Sequence, residues 1–383
     1  MVSCQKDTNI NSPSVTLPTD EPSMMYGVNL ADLTPEQVAL LKEVDPEETQ
    51  APLVDAVSCG ADEYQEILMQ DATYQKECVK DEKEFQSFMQ RQPQAESRSS
   101  GCNETIYIPV AIHYQDYKSM YKNQITIPQY QQLLVLKALG QIRTLNAEFQ
   151  QKNGQPAYNL YKPFFFGGMA AGKTCIEFYI PNRNHPAGSG LSNGQHAVTF
   201  NQTRGDRNNT WEGYLNIFVG EAINWKGDEV LGYSPVNGIP NGGGIRIAYN
   251  AFGGWDDGGT RPLHLMQYHQ FNSRYPYDRG KTLTHEMGHY LGLKHIWGGG
   301  CGQDDGIVDT PNSATPHYNN PGADGLFGGL KVSCNSLDLW MNFMDYTDDR
   351  TMDMFTPNQA TRMNNRAKFI QTHYLKSLTE LGY

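Results

Sequence analysis

Between Thr284 and His295 the chain reads THEMGHYLGLKH. His285 and His289 are four residues apart, so on a helix both imidazoles project from one side. Imidazole nitrogens suit zinc, and a catalytic zinc site keeps one position for water beside three protein ligands. Glu286, next to the first histidine, is placed to take a proton from that water. Gly292 can adopt a positive φ, end the helix and turn the chain, which returns His295 as a third ligand. Three neutral histidines leave the ion dipositive, so a water held there is strongly acidified. The bland alternative is a surface helix with scattered histidines. It does not explain why Glu, Gly and His all stand at the required offsets. The remaining histidines (His113, His185, His196, His264, His269, His317 and His373) share no such pattern and read as structural or solvated.

Such a trio needs a helix over Lys281–Leu291 and a scaffold behind it. The chain has 383 residues, enough for two to three domains at about 150 residues each. With 30 Lys+Arg against 42 Asp+Glu the net charge is −12, and no basic stripe is present, which excludes general nucleic-acid binding. No apolar run approaches the ~18–20 residues of a membrane helix. Neither a G-X-Y pattern nor heptads occur. Ile106, Ile108, Val110 and Ile112 alternate, predicting a strand with one buried face, and Pro109 places it at an edge or bulge. A long helix is expected over Pro128–Gln150, with Tyr130, Leu134, Ala138, Ile142, Leu145 and Phe149 as its apolar stripe. Further strands are expected at Cys175–Ile180, Tyr214–Val219 and Ile245–Tyr249, joined by glycine-rich loops. A last helix starts at Thr356-Pro357-Asn358-Gln359, a capping box.

The first hundred residues differ in character. Met1-Val2-Ser3-Cys4 looks like the end of a bacterial lipoprotein signal, with Cys4 as the lipid anchor. The polar stretch to about residue 30 reads as a tether. Thr34-Pro35-Glu36-Gln37 signals a helix start, and helical character returns from Glu63 to Met89. Gln92–Gly101 reads as an exposed linker that can be cut, with Ser97-Arg98 as the candidate site. Composition divides the chain into a tether 1–30, a segment 31–98 and a larger domain 99–383.

The stretch from His285 to His295 is the signature of the metzincin metallopeptidases. The chain resembles their pappalysin/cytophagalysin family further, through Trp297-Gly298-Gly299-Gly300-Cys301, Asp305-Gly306-Ile307-Val308-Asp309-Thr310-Pro311 and Asn342-Phe343-Met344-Asp345-Tyr346-Thr347-Asp348-Asp349. The resemblance spans about residues 55–380. It implies an α+β, two-lobed metzincin fold. The upper subdomain carries a twisted sheet, a backing helix and the zinc-binding helix. The lower, irregular one carries the third ligand, the Met-turn and a C-terminal helix. It also implies a zinc endopeptidase cutting extended protein or peptide substrates, made as a latent proenzyme. It is this resemblance that makes segment 31–98 a propeptide and 99–383 a catalytic domain. Glu286 is then general base and Tyr346 a transition-state donor, with Met344 as the Met-turn residue below the zinc.

Other roles come from the same resemblance. Asp305, the Val308 carbonyl and Thr310 would hold a structural calcium, with Asp309 bracing the Thr310 turn. Cys301 and Cys334 would form a disulfide. A second family bridge is absent here: Thr351 stands where one of its cysteines is expected, so loop 312–333 should be looser. Cys59, before Gly60, resembles a cysteine switch whose thiolate fills zinc's open position; a Cys59–Cys78 disulfide is the alternative. Partners for Cys78, Cys102 and Cys175 stay open. Arg350, six after Met344, stands where Arg/Lys-preferring relatives have an acid lining the S1′ pocket. It should disfavour a basic residue just after the cut, unless it points to solvent. The expected protein is a monomer, extracellular or on the cell surface, either secreted or anchored in the outer membrane through Cys4. The competing function is a non-catalytic surface lipoprotein using the scaffold for binding. Such a binder has no use for Glu286 and Tyr346.

Overall fold

The computed structural model describes residues 42–43, 57–91, 102, 104–120, 126–165, 169–202, 207–221, 223–225, 228–238, 243–253, 276–326 and 328–383. Cys4, the tether, the Thr34 helix start and the 92–101 linker lie outside them. No helix among the described residues is long and apolar enough to cross a membrane.

The fold is mixed α+β, built on an eight-stranded sheet. Its strands are β2 (Val57–Cys59), β3 (Ile106–Gln115), β4 (Ile176–Tyr179), β5 (Val198–Gln202), β6 (Leu215–Gly220), β7 (Ile223–Trp225), β8 (Asp228–Tyr233) and β9 (Gly244–Ala248). A further short strand, β1 (Lys42–Glu43), lies apart from this sheet. The order is β2-β8-β9-β6-β3-β4, with β5 also on β3 and β7 on β8. β3 pairs in parallel with β4, β5 and β6, while β8 runs antiparallel to β9.

β3 corrects the expectation of a half-buried edge strand: it is central, and from Ile108 onward both of its faces are buried. Two layers cover it, so alternation ceases to distinguish inside from outside. Pro109 is tolerated because it pairs with Tyr179 of β4, and the β6 ladder begins only at Val110.

The helices are α1 (Ala61–Leu68), α2 (Ala72–Arg91), α3 (Ile127–Phe149), α4 (Pro156–Tyr161), α5 (Lys281–Tyr290) and α6 (Pro357–His373). Thr126 opens α3 and Thr356 opens α6, each in a reciprocal capping box with a glutamine three residues on. All six residues of the expected α3 stripe are buried. α3 backs the sheet at β4 and β5 and packs against α5.

After Gly292 the chain becomes irregular up to α6. The short strands there are β10 (Tyr318–Asn319), β11 (Lys331–Ser333), β12 (Ser336–Leu337) and β13 (Tyr346–Thr347). β11 and β12 form a hairpin whose turn residues, Cys334 and Asn335, both have positive φ. β1 joins that hairpin on β11. Cys301 bridges to Cys334, and Cys102 to Cys175. The second bridge pins the chain just after the linker to the residue preceding β4.

Loop 312–333 is held where a loose loop was expected. Strand β10 pairs with β13, directly after the Met-turn. His317 bridges two buried aspartates, with Nδ1 2.8 Å from Asp345 and Nε2 3.2 Å from Asp338. Non-covalent clasping thus replaces the absent cross-link.

Candidate active site

Helix α5 is buried along almost its whole length, which is why its pattern carries no polar face. It presents His285 and His289 on one side, and Gly292, with φ +92°, reverses the chain so that His295 returns. The three Nε2 atoms stand 3.1–3.3 Å apart. Tetrahedral ligands at ~2.0–2.1 Å from one zinc are separated by about 3.3 Å, so the spacing fits that ion. His285 Nδ1 donates to the Phe343 carbonyl at 2.7 Å and His289 Nδ1 to the Leu293 carbonyl at 2.9 Å. A carbonyl can only accept, so each Nδ1 carries the proton and each Nε2 turns its lone pair inward. Burial, followed by the neighbouring imidazoles, pushes His285 well down and His289 to about 3, which keeps both neutral. His295 Nδ1 instead faces the Asp62 carboxylate of α1 at 3.3 Å, and its ring stacks on Trp297 with centroids 4.3 Å apart.

Glu286 is fully buried, and the Cys59 thiol donates to its carboxylate. Burial outweighs that hydrogen bond and pushes the carboxyl up to about 8. Room for it comes from Gly232 of β8: a Cβ there would stand 2.9 Å from Glu286 Cγ. Below the histidines, a Cβ on Gly288 would run into the Met344 sulfur, so the motif's Gly288 is what lets the Met-turn close.

The Cys59 Sγ and the three histidine nitrogens all lie within 4.8 Å of one another. The Cys59 thiol is free, which removes the Cys59–Cys78 disulfide. Burial pushes that thiol up, with Glu286 adding to the effect. Cys59 reaches the site because β2 adds in parallel to β8 at the sheet's rim. Tyr346 OH donates to the Cys59 carbonyl at 3.3 Å, and its ring packs on His295 and Trp297. A pocket opens beside Glu286, lined by Leu231, Gly232, Tyr277, Thr282 and Met352. Arg350 stands at its periphery, 3.6 Å from Asp278 and not in the lining.

Asp305 and Thr310 are buried and hydrogen-bonded to each other, and Asp305 also accepts from the Ile307 N–H at 2.9 Å, whereas the Val308 side chain is exposed. The Asp309 carboxylate accepts from Thr356 Oγ1 at 2.6 Å and from the Asn358 N–H at 2.9 Å. It thereby ties the turn to the start of α6. Sequence reasoning missed Asp62, Gly232 and the His317 clasp, none of which has a local pattern. Trp297 was visible in a motif but had no assigned contact.

Three comparisons bear on this geometry. The peptidase family model described as pregnancy-associated plasma protein-A matches residues 207–368. Extracellular metalloprotease 1 of Coccidioides posadasii is 46% identical over 92 residues, 24% of this chain and 31% of that protein. A solved promirolysin mutant of Tannerella forsythia is 27% identical, covers 82% of this chain and 97% of its own, and has a TM-score of 0.52. A structure of mirolysin in complex with compound 9 is 30% identical and covers 97% of that chain and 70% of this one, with a TM-score of 0.47. The chain belongs to the pappalysin family of metallopeptidases. Its fold is that of the metzincins. It spans about a third of the length of the curated pappalysin relatives it matches.

Proposed function

We propose that this pappalysin is a zinc-dependent endopeptidase made in a latent form. The observation that carries the reading is the convergence of three buried Nε2 atoms beside the buried Glu286 carboxylate. His285, His289 and His295 would hold the ion. Zinc, when bound, supplies a Lewis acid that polarises the scissile carbonyl and acidifies water. Everything else is the chain's own. Glu286 takes a proton from the attacking water and delivers it to the leaving amine, a task suited to a carboxyl held near 8. Tyr346, released from the Cys59 carbonyl, donates its phenolic hydrogen to the developing oxyanion. Met344 floors the site.

In this reading residues 31–98 are a propeptide that blocks the site with Cys59, and a cut in 92–101 frees it. The adjacent buried oxygens of Asp305 and Thr310 support a structural calcium there, with the Val308 carbonyl as third donor. A calcium-dependent rise in melting temperature that disappears in Asp305→Asn tests this. Relatives named extracellular metalloproteases support an extracellular location, and Cys4 lipidation would anchor the protein to the cell surface. We expect a monomer acting on protein or peptide substrates.

The test is hydrolysis of a denatured protein such as casein by residues 5–383, before and after cutting 92–101, beside Glu286→Ala. Activity that appears on cutting, requires zinc and is absent from the variant is the expected result. Silence in a sample holding one zinc per chain would move the assignment to a binding scaffold. Arg350 and its pairing with Asp278, next to the pocket residue Tyr277, bear on specificity. Arg350→Glu should shift cleavage toward Arg or Lys just after the cut in a peptide library. An unchanged profile would remove Arg350 from the pocket.

A further inference from the structure

The N-terminal segment touches the rest of the molecule well away from the cleft. Asp81 of α2 and Arg366 of α6 are 3% and 1% exposed, and Asp81 Oδ2 lies 2.7 Å from Arg366 Nη1. Tyr374 OH donates to the other Asp81 oxygen at 2.9 Å. Around this pair, Phe85 and Phe88 set their rings edge-on against Phe369 at 5.3 and 5.6 Å, and Phe88 also meets His373. Arg366 lies over the faces of Phe85 and Phe369. Residues 78, 81, 85 and 88 form one helical stripe, and the opposite face, with Val79, Lys80 and Lys83, is exposed. The α6 side complements it in charge. Arg362, one turn before Arg366, carries an attraction to Glu82 and donates to the Gly292 carbonyl at 2.6 Å. Arg366 holds the Asn237 and Gly238 carbonyls, and the Gly238 N–H donates to the Tyr290 carbonyl at the end of α5.

A buried arginine and carboxylate framed by aromatic rings have the anatomy of a binding hot spot. Neither residue lines the pocket beside Glu286. We propose that the α6 face centred on Arg366 and Phe369 is a docking site separate from the cleft. It takes an amphipathic helix bearing an acid followed by phenylalanines four and seven residues on. Its resident occupant is α2. This rests on residues 31–98 being a propeptide only in supposing that the linker is cut. Cys59 latches the segment, and Asp81, Phe85 and Phe88 anchor it, so the anchored piece stays on the enzyme after the cut.

The experiment places a specific protease site in 92–101 of the full chain, cuts the purified protein and measures retention of the N-terminal piece by size exclusion. All variants lie in that piece, so none unfolds the catalytic domain. In a Cys59→Ala background the piece should remain bound. Asp81→Ala or Phe85→Ala in the same background should weaken retention by roughly 30-fold or more, the usual scale for losing one side of a buried charge pair. Lys80→Ala, on the exposed face, should change nothing. Release by Cys59→Ala alone, or retention of the Asp81→Ala piece at the wild-type level, would overturn the proposal. A cut Asp81→Ala sample that has lost the piece and still shows no hydrolysis would overturn the proenzyme reading and leave the docking site standing.

Discussion

Cys59 and Glu286 compete for the same small volume. Each is destabilised in its charged form by burial; Glu286 pushes the Cys59 thiol further up, while the thiol's hydrogen bond to Glu286 draws the carboxyl down. A latch of this kind holds only while an ion draws the sulfur in. Cys59→Ala should therefore give substantial hydrolysis before any cut, measured against the uncut wild type. No change would place the block elsewhere in residues 57–69, with Asp62 on His295 as the first suspect. His317 makes a different use of burial. Burial alone would push it down, but Asp345 and Asp338 outweigh that and raise it to about 10. Its folded value lies above its unfolded one. The stability it contributes is then complete below about 6.5 and is lost as pH rises through about 10. His317→Gln should cost on the order of 3–5 kcal/mol at neutral pH, the penalty for leaving two buried carboxylates without their cation. The gap to wild type in denaturant melts should narrow steadily between pH 7 and 10. A gap that is constant with pH would mean that the imidazole is neutral in the fold.

At the scale of elements, the site depends on two close approaches made by glycine. Gly288 lets α5 settle on Met344, and Gly232 lets β8 pass over Glu286. Gly288→Ala should destabilise by about 1–3 kcal/mol, since the sulfur must move within a packed core. Gly232→Ala should cost less stability and lower kcat, because the nearest atom it displaces, Glu286 Cγ, belongs to the proposed general base. Equal effects of both changes on stability would refute this division. The same two residues show how far the chain can be read unaided. Spacing alone exposed α5, the α3 stripe and the Thr356 capping box, because those are local patterns; the Thr126 box at the start of α3 was missed. It did not expose β8, whose Leu231-Gly232-Tyr233 segment has neither alternation nor β-branched enrichment and becomes a strand only through its neighbours. Pro109 misled for a related reason: whether a strand is central depends on where a distant ladder starts. The trio with Glu286 was legible because a metal site compresses its requirements into eleven residues. Asp62 and the His317 clasp are long-range pairings that no window contains.

For the whole molecule, the N-terminal segment is in contact at β11, at the β8 rim and on α6. Cutting 92–101 should therefore produce activity in two stages. A first, fast rise would come with opening of the cleft, and a slower one with departure of the helix. A progress curve with a single phase, matching the cut as seen on a gel, would show that all the contacts let go together.

The two disulfides fix how this ends. Cys102, Cys175, Cys301 and Cys334 are bonded to one another, so the catalytic domain keeps no sulfur with which to hold the N-terminal segment covalently. Before the cut the segment is present at the millimolar effective concentration of a tethered ligand. Afterwards it is an ordinary solute, and its occupancy falls with volume. In a confined volume the severed piece would rebind and keep the cleft closed. In open medium the same piece diffuses off and does not return, so dilution sets the moment at which a cut molecule becomes a working one.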